Sequence, residues 1–180
     1  LGNSKIGTPF CCRKSPANFA VPVILALYGH SMHRLGEVFP KQGIGSLKLG
    51  ESKDCLLQLL GEPIRESINR RDGIVYNYEG FRLTFNQDEK LESIEVYPGT
   101  QITYKGLDIF NGVSAWEQLI HEEPSPLHLV GTIVLLSSGV SMWEDPNEEE
   151  QNKSFVISAD GVWDDLKSKL KPYEKKPYNN

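Results

Sequence analysis

The chain has 180 residues and a mass of 20.2 kDa, with 39% hydrophobic and 24% charged residues and a mean hydropathy of -0.36, so it holds one globular domain or two small halves. These values exclude a large multidomain enzyme and a disordered tail. Nineteen basic residues against 24 acidic ones leave a net charge of -5, which argues against nucleic-acid binding by phosphate neutralisation and against docking on an anionic membrane.

Residues 1 to 43 carry Gly2, Gly7, Pro9, Pro16, Pro22, Gly29 and Gly36, with Pro40 and Gly43 closing the stretch, and they sustain no period of 2 or 3.6. They read as an irregular N-terminal arm. The apolar run from Phe19 to Tyr28 is about half the length a bilayer-crossing helix needs. It follows Lys5, Arg13 and Lys14 as a signal-peptide core would, yet Pro22 interrupts it and no small-x-small cleavage site follows. Cys11, Cys12 and Cys55 match no zinc spacing and cannot all pair. A reduced, cytoplasmic chain is the expectation.

From Ile44 the patterning sharpens. Ser52 caps a helix with Asp54 in its first turn and Cys55, Leu56, Leu59 and Leu60 at helical spacing. Gly61 and Pro63 end it. Leu59 is expected in the core, as is Phe85. Strand patterns follow at Ile74 to Tyr78, Phe81 to Phe85 and Leu91 to Tyr97, with Asp72-Gly73, Glu79-Gly80 and Asn86-Gln87-Asp88 supplying turns.

The same grammar returns after Pro98-Gly99. Ser114 caps a second helix with Val113, Trp116, Leu119 and Ile120 at apolar spacing, ending before Pro124. Strand patterns recur at Thr132 to Leu136, Val140 to Trp143 and Ser154 to Ser158, with Gly139 in the place of Gly80. A tandem duplication is expected: repeat 1 over 44–105, repeat 2 over 106–168, and a disordered tail over 169–180. The fold class is α+β, tandem helix-plus-antiparallel-sheet repeats with both helices on one sheet face.

The segment "LGESKDCLLQLLGEP", followed by "GIVYNYEG", "FRLTF" and "DEKLESIEVY", resembles the repeat of the SmpA/OmlA outer-membrane-assembly lipoprotein and beta-lactamase-inhibitor-protein type. Gly50, Ser52, Leu60, Gly61, Pro63, Tyr76, Tyr78, Phe85, Asp88, Lys90 and Leu91 carry the likeness. It spans about 44 to 97 well and 106 to 163 weakly. Glu89 stands where that family often has a turn glycine. The resemblance implies the fold and says little of function, because such repeats occur in inhibitors, assembly factors and immunity-like proteins.

No residue set reads as catalytic, metal-binding or cofactor-binding. His30 and His33 have no acidic partner nearby, and His121 to His128 lacks the zincin spacing. Gly43, Gly45 and Gly50 miss the phosphate-loop pattern. Cys55 lies on the apolar face of its helix, where packing is the ordinary role. The acidic run Glu144, Asp145, Glu148, Glu149 and Glu150 lacks calcium-loop spacing and reads as a solvated tip. Strand alternation puts Ile74, Tyr76, Tyr78, Phe81, Leu83, Phe85, Ile94, Val96, Val140, Met142, Phe155 and Ile157 on the covered face. Asn77, Arg82, Glu95, Tyr97, Ser141 and Trp143 then occupy the opposite face, the candidate partner-binding surface, with a cover by the 1–43 arm as the alternative role of that face.

The expected function is non-catalytic protein binding or inhibition, of the bacterial immunity type, in which an acidic chain neutralises a basic toxin. The alternative is an exported cell-envelope assembly or structural factor. No nucleic-acid partner and no membrane span are expected.

Overall fold

The computed structural model describes residues 34–111, 114–143 and 153–174, apart from the side chain of Ser114. The described residues are α+β, with two sheets and two short α-helices among them. The smaller sheet contains β1 (Arg34–Phe39), β2 (Gly43–Ile44), β3 (Leu47–Lys48), β8 (Gln101–Tyr104) and β9 (Leu107–Asp108), in the order β3-β2-β1-β8-β9. The β1–β8 pair is parallel, and the other pairs are antiparallel.

The larger sheet has nine antiparallel strands. After helix α1 (Lys53–Leu60) come β4 (Arg65–Ile68), β5 (Ile74–Tyr78), β6 (Phe81–Phe85) and β7 (Leu91–Val96). After helix α2 (Ser114–Glu122) come β10 (Leu127–Leu129), β11 (Thr132–Leu135), β12 (Val140–Trp143) and β13 (Ser154–Ser158). A six-residue 3-10 helix, Asp164–Lys169, and β14 (Lys171–Pro172) close the described chain. The sheet order is β14-β10-β11-β12-β13-β7-β6-β5-β4, with the β13–β7 pair at its centre.

Register explains the core. Tyr76 faces Leu83, Leu83 faces Ile94, Ile94 faces Ile157 and Ile157 faces Val140, a continuous apolar row across five strands. Phe81, Val96, Phe155 and Met142 make the neighbouring row. Helix α2 lies against these residues through Trp116, whose ring meets Phe155 edge-on at 6.4 Å. At the end of α1, the Gly61 carbonyl accepts a hydrogen bond from the Tyr78 hydroxyl at 3.0 Å. Tyr78 and Phe155 share one face of the sheet, so the ends of both helices are tied to that face.

Local chemistry sets the ends of α1. The Ser52 hydroxyl accepts from the Cys55 amide, and Gly61, at φ 78°, returns its amide to the Leu57 carbonyl. Gly80 and Gly139, at φ 78° and 68°, each precede a strand in a conformation that side chains disfavour. Glu89 sits at φ 55°, the region glycine favours. The Asn86 side chain supports this turn by accepting from the Asp88 and Lys90 amides, both at 3.0 Å.

Several sequence expectations are corrected. Residues 34–43 do not belong to an irregular arm: they form β1 and the start of β2, with Val38 and Ile44 buried. The shift in register between Arg34 and Gly36 breaks the alternation that would have marked this strand. The boundary at 105/106 divides the β8–β9 hairpin, whose strands pair Tyr104 with Leu107. In the larger sheet the first four strands after each helix are consecutive neighbours, because the short strands β4 and β10 extend the expected three-strand meanders, and β14 adds a further edge strand. Leu59 is 54% exposed although it shares the helix side of Cys55 and Leu56: it lies in the last turn of α1, where Leu60 packs against the core instead, whereas Phe85 is fully buried. Ser114 is the first residue of α2 instead of its cap. In the tail, Lys171 and Pro172 pair with His128 and Leu127. Cys55 is disulfide-bonded, against the reduced expectation. Residues 1–33, 112–113, 144–152 and 175–180 lie outside the described residues, and with them His30, His33, Val113 and the acidic run.

Candidate functional site

All six candidate side chains fall on the sheet face opposite the helices. Asn77, Arg82 and Glu95 oppose one another across β5, β6 and β7, and the row continues through Val156 and Ser141. Trp143 stands opposite Ser154 and Thr132 in the adjacent row, and Tyr97 follows the end of β7 on the same side.

These six do not form one cluster. Glu95, Tyr97, Ser141 and Trp143 line a groove of about 500 Å³, whereas Asn77 and Arg82 do not. The Asn77 amide is turned to the sheet edge, where it donates to the Arg65 carbonyl at 3.2 Å. Arg82 pairs with Oε2 of Glu95. It thus sets the carboxylate from outside the groove. Burial pushes the Tyr97 phenol above its ordinary value, and the Glu95 charge adds to the shift while Arg82 opposes it.

Small residues make the floor. Ser93 faces Ser158 across the central strand pair, and Ser141 and Val156 oppose each other beside them. Ser141, Ser154 and Ser158 are nearly inaccessible, at 2%, 8% and 2% exposure. Because none of these side chains rises far above the sheet, Tyr97 and Trp143 form walls over them. Trp143 lies against Gly131, where an added Cβ would come within 3.3 Å of the indole ring. Glycine at that position leaves the ring its place.

Trp163 and Val162 complete the lining, and alternation could not reveal them because they lie beyond β13 in a turn. Gly161, at φ 92°, opens that turn, and its carbonyl accepts from the Asp164 amide at 3.0 Å. The Arg71 guanidinium holds it from the β4–β5 hairpin. Both Arg71 terminal nitrogens donate to the Val162 carbonyl at 3.3 Å, with Asp165 at 3.3 Å and Glu92 at 3.8 Å completing the cation's surroundings. By contrast, Ser154 and Ser158 were accessible to sequence reasoning, since they alternate with Phe155 and Ile157.

Two other polar clusters serve the fold. The buried carboxylate of Glu123 accepts from the Ser137 amide at 3.1 Å and the Ser137 hydroxyl at 2.6 Å, tying α2 to the β11–β12 turn. Glu122 accepts from Tyr104 at 2.7 Å, Lys105 at 2.6 Å and Gln118 at 3.0 Å. The Lys105 and Tyr104 hydrogen bonds hold the Glu122 carboxyl below its ordinary range. Among the described residues, no group of three or more His, Cys, Asp or Glu could hold a metal ion, and no helix is long and apolar enough to cross a membrane. No protein-family model, curated protein or solved structure matches the chain.

Proposed function

We propose that the protein is a non-catalytic binding or inhibitor protein that uses the groove-bearing sheet face to engage a basic protein, in the manner of an immunity protein neutralising a toxin. The observation that carries this reading is the groove itself: small polar residues floor it, and Tyr97, Trp143 and Trp163 line it. Aromatic anchors around a recess are what protein interfaces concentrate their binding energy on. The chain's net charge of -5 favours association with a cationic partner. The lining also holds one carboxylate, Glu95, whose charge suits a cationic partner.

We further read eight of the nine strands of the larger sheet as two tandem copies of a helix followed by four strands, with β14 added at one edge. The order β10-β11-β12-β13 against β7-β6-β5-β4 supports this, because the last strand of each set meets the other at the sheet centre. Such a joint would give one continuous binding face instead of two small ones.

The experiment is co-expression of the chain with a basic toxin encoded beside it. Growth protection by the wild type, lost in the Tyr97→Ala/Trp143→Ala variant that still folds, supports the proposal. Equal protection by both proteins removes the groove from it, and no protection by either defeats the immunity reading. The second reading, an exported envelope factor in a cytoplasm-excluded, oxidising compartment, is favoured by the disulfide at Cys55. Thiol counting by mass spectrometry on protein from the native host tests it.

A further inference from the structure

We infer that the groove receives an arginine side chain from the partner, stacked against its aromatic walls and held by Glu95 and the floor hydroxyls. This rests on the proposed binding function and names the group that the groove recognises. Three observations carry it. First, Ser141, Ser154 and Ser158 are each more than nine-tenths buried and line the groove, yet among the described residues their hydroxyls enter no hydrogen bond. Their hydroxyl oxygens are not sealed in the core, since Trp116 Nε1 is the one buried side-chain polar atom without a partner among the described residues, and so they open onto the groove. They therefore mark places where a ligand's donors or acceptors fit.

Second, the lining contains one carboxylate, Glu95, and no lysine, arginine or histidine. Arg82 binds Glu95 through Oε2 from outside the groove, and the Tyr97 phenol also hydrogen-bonds the same carboxylate, which holds it at the groove wall. Third, Tyr97, Trp143 and Trp163 surround the floor, and the negative faces of such rings attract cations, arginine above all. A guanidinium is flat, donates up to five N–H groups and accepts none. It suits a recess that combines ring faces, serine oxygens and a carboxylate. A carboxylate or phosphate ligand would find no cation in the lining to pair with.

The test titrates the folded chain with the peptide Ac-Gly-Arg-Gly-NH2 and with its citrulline counterpart, which keeps the shape and loses the charge. The readout is the indole N–H resonance of Trp163. The arginine peptide should shift this resonance saturably and bind at least about tenfold tighter than the citrulline peptide, a difference of about 1.4 kcal/mol. Trp163→Ala and Glu95→Gln should each weaken binding, as followed by the remaining indole signals, while the amide spectrum stays dispersed.

No saturable shift at millimolar peptide, or equal binding of the two peptides, overturns the inference. So does a response to cellobiose with none to arginine, which would assign the groove to uncharged rings. The comparison between arginine and citrulline needs no variant, so it holds even if a substitution unfolds the chain. Protection from the toxin that survives in Trp163→Ala and Glu95→Gln overturns this inference and leaves the binding function standing.

Discussion

Ile94 of β7 faces Ile157 of β13 across the central pair of the nine-stranded sheet, and neither side chain is accessible to solvent. This contact lies where the four strands following α1 meet the four following α2. Both residues also face core partners on their outer sides, Leu83 and Val140. Replacing either isoleucine by alanine should cost about 2 to 5 kcal/mol, through lost burial and the remaining cavity. Urea unfolding of the two single variants and the double variant should give a non-additive sum, since residues in contact couple by about 0.5 to 3 kcal/mol. Strict additivity would mean that the two halves do not depend on each other at this seam.

Gly80 offers a second test, because two separate effects act there. Its φ of 78° disfavours any side chain, and an added Cβ would lie 2.0 Å from the Thr100 hydroxyl oxygen. That hydroxyl donates to the Gly80 carbonyl at 3.0 Å and fixes the turn after β7. Gly50 has a similar φ of 80° with nothing within 4 Å of a Cβ. Gly50→Ala should therefore cost about 1 kcal/mol from conformation alone, and Gly80→Ala clearly more. In a Thr100→Ala background the excess at Gly80 should shrink. An equal cost at both glycines in thermal denaturation would show that the close approach to Thr100 is relieved freely.

The covered and open faces of the sheet were legible in the sequence because alternation survives burial on one side: the apolar residues of β5, β6, β7, β12 and β13 sit in the expected phase. Strands β1 and β4 were not legible, for two different reasons. In β1 the apolar Leu35 and Val38 are an odd number of residues apart, so no alternation shows in the sequence, and a register irregularity between Arg34 and Gly36 lets both meet the core. In β4 the sequence Arg65-Glu66-Ser67-Ile68 is an exposed edge, where no burial imposes a pattern. Four of the six candidate site residues do line the groove, because face assignment follows from strand phase alone. Trp163 escaped because a turn, and not a strand, delivers it. Leu59 failed although its phase matches that of Cys55 and Leu56, because it lies in the last turn of α1, where that side of the helix is no longer covered. Leu59→Ala should change stability by less than about 0.5 kcal/mol, while Phe85→Ala should cost about 3 to 5 kcal/mol. Comparable losses at the two positions in chemical denaturation would contradict the orientation of α1.

Glu122 and Lys105 set a pH window. Hydrogen bonds from Lys105 and then Tyr104 lower the Glu122 carboxyl from its ordinary value of 4.5, so its stabilising contribution is present above that value and is lost as pH falls through the lowered one. The Lys105 ammonium is raised from 10.5 chiefly by its bond to Glu122, so its contribution is full below 10.5 and is lost as pH rises through the raised value. Between these limits the network should be insensitive to pH. In carbon-detected NMR titration, Glu122 should titrate below the bulk of the other carboxyls, and Lys105→Ala should move it upward. An unchanged midpoint in that variant would show that the ion pair does not persist in solution.

Arg71 tests whether the groove depends on a residue that does not line it. Its guanidinium is about half exposed and joins the Val162 carbonyl to the β4–β5 hairpin, so Trp163 is held in place from a neighbouring turn. Exposed contacts of this kind contribute little to global stability, and Arg71→Ala should shift the unfolding free energy by less than about 1 kcal/mol. The local effect should be larger. The amides of Asp164 and Leu166 bond to the Gly161 and Trp163 carbonyls at 3.0 Å, and their hydrogen exchange should accelerate once the turn is released. Exchange at Ile94 and Ile157, deep in the sheet, should stay at the wild-type rate. If all four amides accelerate together, Arg71 supports the whole fold. If none does, the turn holds itself through Gly161, and Arg71 has no part in placing Trp163. Selective acceleration at Asp164 and Leu166, accompanied by weaker binding at the groove, is the outcome that makes Arg71 a positioning residue.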